Sequence, residues 1–363
     1  MLVFGTRPEA IKMCPLVNEI RARDGVRTVV CVSGQHRQML DGVLHAFGVF
    51  PDYDLAVMKD RQTLSDITIN ILRGLDFVLD EVKPDVVLVH GDTSTTFAAA
   101  LSCFYRGIPI GHVEAGLRTY NLQSPYPEEF NRQTVGLLAS YHFAPTDRAR
   151  ENLLKEGKEP SRVYVTGNTA IDALRTTVRA TYTHPEWEWA RDSRLLLLTA
   201  HRRENLGEPM RGMFRAVRRV LCEHPDLKVL YPIHMNPVVR QIASEELSEC
   251  DRIHMIEPLD VFDFHNFLAR SFLVLTDSGG IQEEAPSLGK PVLVMRDTTE
   301  RPEGVAAGTL RLVGTDEEEI YRNVKELIED RASYCAMAQA TNPYGDGNAC
   351  RRIADILLRE FGK

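Results

Sequence analysis

Asp85-Val-Val-Leu-Val-His-Gly-Asp-Thr93 is the stretch of sequence that decides the fold. Its apolar residues follow one another without alternating with polar ones, so both faces of the predicted strand must be covered. This pattern is typical of a parallel strand between two layers of helices. Polar residues follow at the carboxyl end of the strand, which is where open α/β sheets bind their ligands.

Similar runs rich in Val, Ile and Leu recur along the chain, each followed by a segment of helical periodicity. The alternation predicts a doubly wound α/β fold. The predicted strands are Leu2–Phe4, Thr28–Val32, Asp85–His90, Ile108–Val113, Tyr141–Ala144 and Val163–Thr166, then Arg194–Thr199, Lys228–Ile233, Arg252–Ile256, Phe272–Thr276, Pro291–Met295 and Thr309–Val313.

Length also favours two domains, since 363 residues exceed the size at which a single core usually stops growing. Between the two series of strands lies His184–Asp192, a charged stretch that holds both tryptophans of the chain. We therefore expect the domain boundary between about Gly167 and Arg194, in or just before that stretch.

Composition excludes several classes of protein. The net charge of −8 argues against sequence-independent binding of nucleic acid, which needs a clustered basic field. No apolar run approaches the roughly 20 residues of a membrane span, and the first residues read as a strand rather than a secretory signal. Seven scattered cysteines without a CxxC pair indicate free thiols in a reducing compartment, and we expect the cytoplasm.

Polar segments, four of which contain glycine, follow five of the predicted strands directly. Parallel strands present their carboxyl ends at one edge of a sheet, so these segments should gather at the ligand-binding edges of the two domains. Two domains facing one another would place all of them around one cleft. The segments are Gly5–Glu9, Gly91–Thr93, Glu114–Gly116, Ala200–Glu204 and Asp277–Gly280.

The turn Asp277–Gly280 joins a strand to a helix, and its glycines allow close approach of a phosphate to the helix start. An ordinary tight turn is an equally good interpretation. Glu284 would accept hydrogen bonds from ribose hydroxyls, or it would be a solvated glutamate. Arg7 and Lys12 repeat the arrangement in the first half, where Arg7 would bind a phosphate or pair with an acid.

Fingerprints of other cofactors are missing from the sequence. The single GxG, Gly345-Asp-Gly347, follows no strand, so a dinucleotide signature is absent. No P-loop, HExxH or EF-hand motif occurs, and the eleven histidines show no metal-ligand spacing. We therefore expect no metal and no cofactor. A nucleotide site without nicotinamide or NTPase machinery indicates a sugar nucleotide.

Acid–base candidates cluster in the same segments. A carboxylate after a fully apolar strand is partly buried, which raises its pKa towards a working range. A histidine among cations can donate a proton or a hydrogen bond to a diphosphate. A structural role is the alternative for each. The candidates are Asp92, Glu114, Glu128, Glu129 and His201.

Taken together, these motifs resemble the non-hydrolysing UDP-N-acetylglucosamine 2-epimerases. The match covers essentially the whole chain, in the family's order. It rests on Phe4-Gly-Thr-Arg-Pro-Glu-Ala-Ile-Lys-Met13, Val89-His-Gly-Asp-Thr93, His112-Val-Glu-Ala-Gly-Leu-Arg118, Pro127-Glu-Glu-x-Asn-Arg132, Ala200-His-Arg-Arg-Glu-Asn205, Asp277-Ser-Gly-Gly-Ile-Gln-Glu-Glu-Ala-Pro286 and Asn342-Pro-Tyr-Gly-Asp-Gly347.

The resemblance implies two Rossmann-like domains that face each other across a cleft in a GT-B-like arrangement, with UDP held mainly by the second domain. It implies a first domain of residues 1–166 with a returning helix at 352–363, and a second domain of residues 167–351. The catalytic residues it implies are Asp92, Glu114, Glu128 and His201. The UDP-binding residues it implies are Arg7, Lys12, Arg132, His201, His234, Phe264, Ser278, Gly279, Gly280, Glu284 and Arg301.

The resemblance also implies a second site, where another UDP-GlcNAc molecule activates the enzyme, and a homodimer. Glu128 and His234 match that second site as well as the first. The remaining residues that match it are Gln35, His36, Gln38, Arg61, Gln62 and Arg202.

The expected reaction interconverts UDP-GlcNAc and UDP-ManNAc, a precursor for cell-surface polysaccharide. The hydrogen at C2 is not acidic, because no carbonyl adjoins it, and oxidation at C3 would need a nicotinamide. Elimination of UDP to 2-acetamidoglucal, followed by readdition, is the remaining route. Which of Asp92, Glu114 and Glu128 is the base stays open. A hydrolysing epimerase, a GT-B glycosyltransferase and a nucleotide-sugar sensor are the alternatives.

Overall fold

The computed structural model describes residues 1–34, 37–59, 62–299 and 301–362, the side chains of 37–39 aside. The chain divides into two compact units. Unit 1 contains residues 1–176 and the chain from Tyr344 onward, and unit 2 contains Thr177–Pro343.

Unit 1 is built on a seven-stranded sheet in which every pairing is parallel. The strand order β3-β2-β1-β4-β5-β6-β7 reverses direction at β1, as expected of a doubly wound domain. The strands are β1 (Leu2–Phe4), β2 (Val30–Val32), β3 (Tyr53–Asp54), β4 (Val87–His90), β5 (Ile110–Val113), β6 (Tyr141–Ala144) and β7 (Val163–Val165).

Helices connect the strands of unit 1, and three of them begin at a threonine just past a strand. Thr6, Thr93 and Thr146 each accept a hydrogen bond from the backbone N–H three residues on, which caps the helix. The helices are α1 (Arg7–Arg21), α2 (Arg37–Ala46), α3 (Leu64–Val82), α4 (Ser94–Tyr105), α5 (Glu128–Leu138), α6 (Asp147–Lys155), α7 (Thr169–Thr177) and the last helix of the chain, α16 (Ala349–Phe361).

Unit 2 repeats this topology with six parallel strands in the order β10-β9-β8-β11-β12-β13. Its strands are β8 (Arg194–Thr199), β9 (Leu227–Pro232), β10 (Ile253–Ile256), β11 (Leu273–Thr276), β12 (Val292–Val294) and β13 (Leu310–Leu312). Its helices are α8 (Pro185–Ala190), α9 (Glu208–Glu223), α10 (Pro237–Leu247), α11 (Val261–Arg270), α12 (Ile281–Ser287), α13 (Pro302–Ala306), α14 (Glu317–Glu329) and α15 (Arg331–Ala338).

The central strands of both sheets are covered on both faces. Every residue of β4 and of β11 is buried, as the unbroken apolar runs require. The prediction of an α/β fold with two Rossmann-like domains is confirmed. Strand β3 is the one that the sequence did not predict. It has two residues, which lie at the sheet edge and are only partly covered.

The boundary between the units, at 176/177, lies within the expected interval of about Gly167 to Arg194 and ten residues later than 166/167. The chain returns to unit 1 eight residues before the predicted 352. The reason is that α7 and the turn before it bind the segment at the start of α16, and α16 packs against α1 of unit 1. Asn168 N donates to Tyr344 O at 2.7 Å. Asp172 accepts hydrogen bonds from Cys350 N at 2.9 Å and from Ala349 N at 3.2 Å. Within the described residues, none of the helices is long and apolar enough to cross a bilayer.

Candidate functional site

Glu9 organises the carboxyl edge of the unit 1 sheet from a buried position. Its Oε2 accepts from the N–H of Gly5 at 3.0 Å and of Thr6 at 2.7 Å. Its Oε1 accepts from the hydroxyls of Thr93 at 2.8 Å and Thr96 at 3.1 Å. One carboxyl thus joins the β1–α1 turn to the β4–α4 turn. Burial raises the pKa of Glu9, and these hydrogen bonds oppose that rise only in part.

Asp92, two residues past β4, lies within 2.5 Å of Arg132, measured from Oδ2 to Nη2. The side-chain amide of Asn131 donates to the Asp92 carbonyl at 2.8 Å and fixes the turn. Burial raises the pKa of Asp92, and the charges of Glu114 and Glu128 raise it further, whereas Arg132 opposes the rise. About a quarter (26%) of the side chain is exposed, so a substrate can reach it.

Glu114 follows β5 directly, and one of its carboxylate oxygens accepts hydrogen bonds from two side chains. Lys12 Nζ donates to Glu114 Oε2, and Asn168 Nδ2 donates to the same oxygen at 3.0 Å. The backbone of Glu114 has φ +62°, a left-handed conformation that is uncommon for a residue with a side chain and concentrates at functional sites. Lys12, which the resemblance implies as a UDP-binding residue, thus lies beside Glu114, an acid–base candidate.

At the start of α5, Glu128 and Glu129 have different environments. Glu129 is buried and accepts from Thr119 N at 3.0 Å and Tyr120 N at 2.9 Å. Although burial raises the pKa of Glu129, hydrogen bonds from Gln133 and these N–H groups leave it below its usual value. Glu129 therefore fixes the preceding loop. Glu128 is only half-buried and lies near enough to Asp92 to raise its pKa.

Asp277 plays the organising part in unit 2. It is fully buried at the end of β11, and its Oδ2 accepts from the N–H groups of His201 and Arg202, both at 2.8 Å. The imidazole Nδ1 of His201 lies 3.1 Å from Asp277 Oδ1. Burial alone raises the pKa of Asp277, but the hydrogen bonds from His201 and Arg202 bring it below its usual value. An ionised Asp277 thus holds the β8 loop in place.

His201 and His234 stack on each other, with ring centroids 5.4 Å apart and planes inclined by 17°. Burial lowers the pKa of His234, and the neighbouring His201 lowers it further. His201 therefore has the carboxylate of Asp277 near Nδ1 and the His234 ring against its face. Arg202 Nε donates to the Asp277 carbonyl at 3.2 Å, so the side chain and the backbone of Asp277 both hold the loop at the end of β11.

Ser278–Gly280 form the turn between β11 and α12, with Arg301 beside it. A Cβ on Gly279 would lie 2.7 Å from Arg301 Nη1, so the guanidinium packs directly on the glycine backbone. Arg301 Nε donates to Glu283 Oε1 at 2.7 Å, which fixes the orientation of the guanidinium. The carboxylate of Glu284, on the first turn of α12, lies 3.6 Å from the ring of His265.

The remaining predicted residues are distributed as follows. Arg7 is half-buried at the first position of α1, and Phe264 is half-buried on α11. Gln62 binds its own loop, donating to Val57 O at 2.7 Å and accepting from Lys59 N at 2.8 Å. Gln35, His36, Arg61 and the side chain of Gln38 lie outside the described residues.

The sequence did not single out Glu9, Asn168 or Asp277 as residues that build the site. Thr6-x-x-Glu9 has the spacing of a capping box, and that signal identifies Glu9 as the partner of the helix start. Asn168 had no such signal, because its partner Glu114 is distant in the sequence. In the part of the chain that the structure describes, no group of His, Cys, Asp and Glu side chains is arranged to hold a metal ion.

The two sheets define a doubly wound α/β protein whose polar side chains gather at the carboxyl ends of the strands, and comparison with known proteins makes the assignment specific. Residues 18–358 match the family model described as UDP-N-acetylglucosamine 2-epimerase. The UDP-N-acetylglucosamine 2-epimerase of Bacillus subtilis is 60% identical over 362 residues, which is 100% of this chain and 95% of the relative.

Solved structures agree with this match. A crystal structure of UDP-N-acetylglucosamine 2-epimerase has a TM-score of 0.93 and 58% identity, covering 100% of this chain and 95% of that one. The Neisseria meningitidis UDP-GlcNAc 2-epimerase bound to UDP-GlcNAc has a TM-score of 0.90 and 49% identity, covering 99% of both chains. The chain therefore belongs to the UDP-N-acetylglucosamine 2-epimerase family.

Proposed function

We propose that this protein interconverts UDP-N-acetylglucosamine and UDP-N-acetylmannosamine by eliminating UDP and adding it back, without hydrolysis. The observation that carries the proposal is the pair of carboxylates at the unit 1 edge, each beside a cation: Asp92 with Arg132, and Glu114 with Lys12. Inversion at C2 needs one group to remove a proton and another to supply one, and two carboxylates in different surroundings meet that need.

Unit 2 would hold the diphosphate in this scheme. His201, with Asp277 behind its Nδ1, and the guanidinium of Arg301 against Gly279 offer donors to a developing negative charge. Glu284 would accept the ribose hydroxyls. UDP has to stay bound after it leaves, because it is the nucleophile of the second half-reaction.

Protons and electrons balance in the two half-reactions. A base removes the C2 proton as the anomeric C–O bond breaks, and the electron pair of the C–H bond forms the C1–C2 double bond of 2-acetamidoglucal. UDP then adds to C1 while an acid protonates C2 from the opposite face. Positioned acid–base groups typically contribute about 10²- to 10⁴-fold each.

Incubation of the pure protein with UDP-GlcNAc alone tests the proposal. ¹H NMR should show UDP-ManNAc appearing until the ratio of the two nucleotide sugars is constant, with no free N-acetylmannosamine. Accumulation of free sugar and UDP in equal amounts would make it a hydrolysing epimerase. No change until a sugar acceptor is added would favour a glycosyltransferase, and no change at all would favour a sensor.

We also propose that UDP-GlcNAc activates the enzyme at a second site formed by Gln35, His36, Gln38, Arg61, Gln62 and Arg202. The support is the motif match, together with Gln62, whose two hydrogen bonds hold its own loop. Substituting Gln62 with Ala should make the dependence of rate on UDP-GlcNAc less sigmoidal. Identical curves for the variant and the parent would remove Gln62 from that site.

A homodimer in the cytoplasm completes the proposal. Support comes from three exposed aliphatic or aromatic side chains near the carboxyl ends of neighbouring helices: Phe77 on α3, Phe104 on α4 and Leu137 on α5, with 69%, 56% and 74% of each exposed. Light scattering on Leu137→Glu should report a monomer. Phe50→Glu, at an equally exposed position next to β3, should leave a dimer intact.

A further inference from the structure

His90, the last residue of β4, belongs to none of the groups assigned above, yet its ring faces the acid–base edge. Its Nε2 lies 3.7 Å from Glu114 Oε2, the oxygen that already accepts from Lys12 and Asn168. We propose that His90 is a positioning residue whose neutral imidazole donates to Glu114 and fixes that carboxylate for proton transfer at C2. This inference rests on the proposed function.

The burial of His90 points to a role for its ring. Only 4% of the residue is exposed, and among the described residues neither ring nitrogen has a hydrogen-bond partner. A buried polar group without a partner costs free energy, so such groups concentrate where function requires them. Glu114 is the nearby acceptor. A movement of its side chain by under 1 Å would bring Nε2 and Oε2 within hydrogen-bond distance.

The backbone at the end of β5 aims Glu114 towards His90. Glu114 has φ +62°, and Gly91, which follows His90, has φ +63°. A Cβ on Gly91 would lie 3.7 Å from Glu114 Oε1, so the carboxylate crosses over the β4 turn. His112 Nε2 lies 2.7 Å from the Gly91 carbonyl and fixes the turn from the next strand. A left-handed residue at a strand end, held by its surroundings, is typical of an active site.

His90 is uncharged, whereas Lys12, which contacts the same oxygen of Glu114, is a cation. Burial lowers the pKa of His90 to about 4, so the ring is uncharged at neutral pH. The charged groups that face it are Glu114 and Lys12, and His112 is the titratable neighbour on β5. A second cation beside Lys12 would lower the basicity of Glu114, whereas a neutral donor orients the carboxylate and leaves it a usable base.

The test compares the pH profile of kcat in His90→Ala, His90→Gln and the parent enzyme. Loss of the donor should lower kcat by about 10- to 100-fold, the factor that one hydrogen bond to a charged group is worth. It should also move the acid limb of the profile to higher pH, because the carboxylate loses stabilisation. The amide of Gln reaches the position of Nε2, so His90→Gln should restore most of both.

His142→Gln is the matched control, because His142 is also buried, lies on the next strand but one and has a pKa lowered to about 4 by burial. Its profile should overlay that of the parent. If His90→Ala also overlays the parent profile while the parent is active, His90 is only structural and the inference is wrong. An inactive parent would instead overturn the proposed function.

A measurement on the unsubstituted protein keeps the inference testable if His90→Ala does not fold. In ¹⁵N-histidine-labelled protein at neutral pH, His90 should carry its proton on Nε2, and its ¹⁵N shift should change in Glu114→Gln. A proton on Nδ1 would leave a lone pair towards the carboxylate and would overturn the inference.

Discussion

Each unit organises its ligand-binding edge around one buried carboxyl group, Glu9 in unit 1 and Asp277 in unit 2, but the two groups differ in what they accept from. Glu9 accepts from two backbone N–H groups and two hydroxyls, all uncharged. Asp277 accepts from two N–H groups and also lies 3.1 Å from the imidazole of His201. The pKa of Glu9 is accordingly raised and that of Asp277 lowered.

The difference shows that burial does not by itself set the charge of a site. Both carboxyl groups are almost inaccessible, with 2% of Glu9 and 0% of Asp277 exposed. A donor that can become cationic accounts for the opposite direction in unit 2. Unit 1 thus keeps an edge where carboxyl groups can exchange protons. Unit 2 keeps a fixed anion behind a set of donors, which suits the retention of a diphosphate.

The largest expected effect falls on the chemistry of unit 1. Asp92→Asn keeps the size of the side chain but removes its ability to transfer a proton. We expect kcat to fall by about 10²- to 10⁴-fold. Affinity for UDP, measured by calorimetry, should change little, because the diphosphate is assigned to unit 2. A variant with parental turnover would remove Asp92 from the mechanism.

The next effect in size concerns the anion of unit 2. Asp277→Ala leaves the N–H groups of His201 and Arg202 without their acceptor, and a buried donor left unsatisfied costs about 1–3 kcal/mol. We expect a lower free energy of unfolding for unit 2 and at least about tenfold weaker UDP binding. Glu204→Ala, an exposed position in the same loop, is the control. Tight UDP binding by Asp277→Ala would contradict the assignment.

A smaller effect concerns the pH dependence of the free energy of unfolding. Replacing Glu9 and replacing Asp277 should change this free energy in opposite directions. The pKa of Glu9 is raised in the fold, so its ionisation costs stability as pH rises above the usual pKa of a glutamate. The free energy of unfolding of Glu9→Gln should therefore increase relative to the parent as pH rises through that range. The pKa of Asp277 is lowered, so its contribution is present above its usual pKa and lost in acid.

The free energy of unfolding of Asp277→Asn should therefore fall furthest below that of the parent at neutral pH, and the difference should be smallest in acid. Urea unfolding at a series of pH values measures both differences. Parallel curves for the two variants would show that the hydrogen-bond partners of Glu9 and Asp277 do not set their charge.

The smallest effect expected concerns Arg301. Arg301→Lys keeps the charge but loses the planar contact with the Gly279 backbone and the hydrogen bond to Glu283, so UDP binding should weaken by about three- to tenfold. Gly279→Ala introduces a methyl group 2.7 Å from Arg301 Nη1 and should weaken binding to a similar extent by displacing the guanidinium. Unchanged affinity in both would exclude Arg301 from the diphosphate site.

The sequence predicted the strands well, because unbroken apolar runs such as Val87–His90 have few alternatives to a covered parallel strand. It missed β3, since two partly covered residues carry no periodic signal. The residue pattern alone did not separate Glu128 from Glu129, although the family resemblance implied a role for Glu128 only. Which of two adjacent acids is buried depends on a loop that precedes the helix.

The roles of Glu9, Asn168 and His90 were harder to predict for a related reason. Asn168 donates to Glu114 across 54 positions, and Glu9, besides its local capping box, accepts from Thr93 across 84 positions. Local patterns do not report such pairs. The domain boundary was displaced for the same reason, since Asp172 binds the backbone of Cys350 across 178 positions.

Solvent deuterium incorporation tests the central claim most directly, namely that the carboxylates of unit 1 remove and replace the hydrogen at C2. The reaction is run in D₂O from UDP-GlcNAc, and the UDP-ManNAc formed is examined by NMR and mass spectrometry. We expect one deuteron at C2 of the product, incorporated about 10²- to 10⁴-fold more slowly in Asp92→Asn under the same conditions. Product formed at the parental rate with hydrogen retained at C2 would contradict the account.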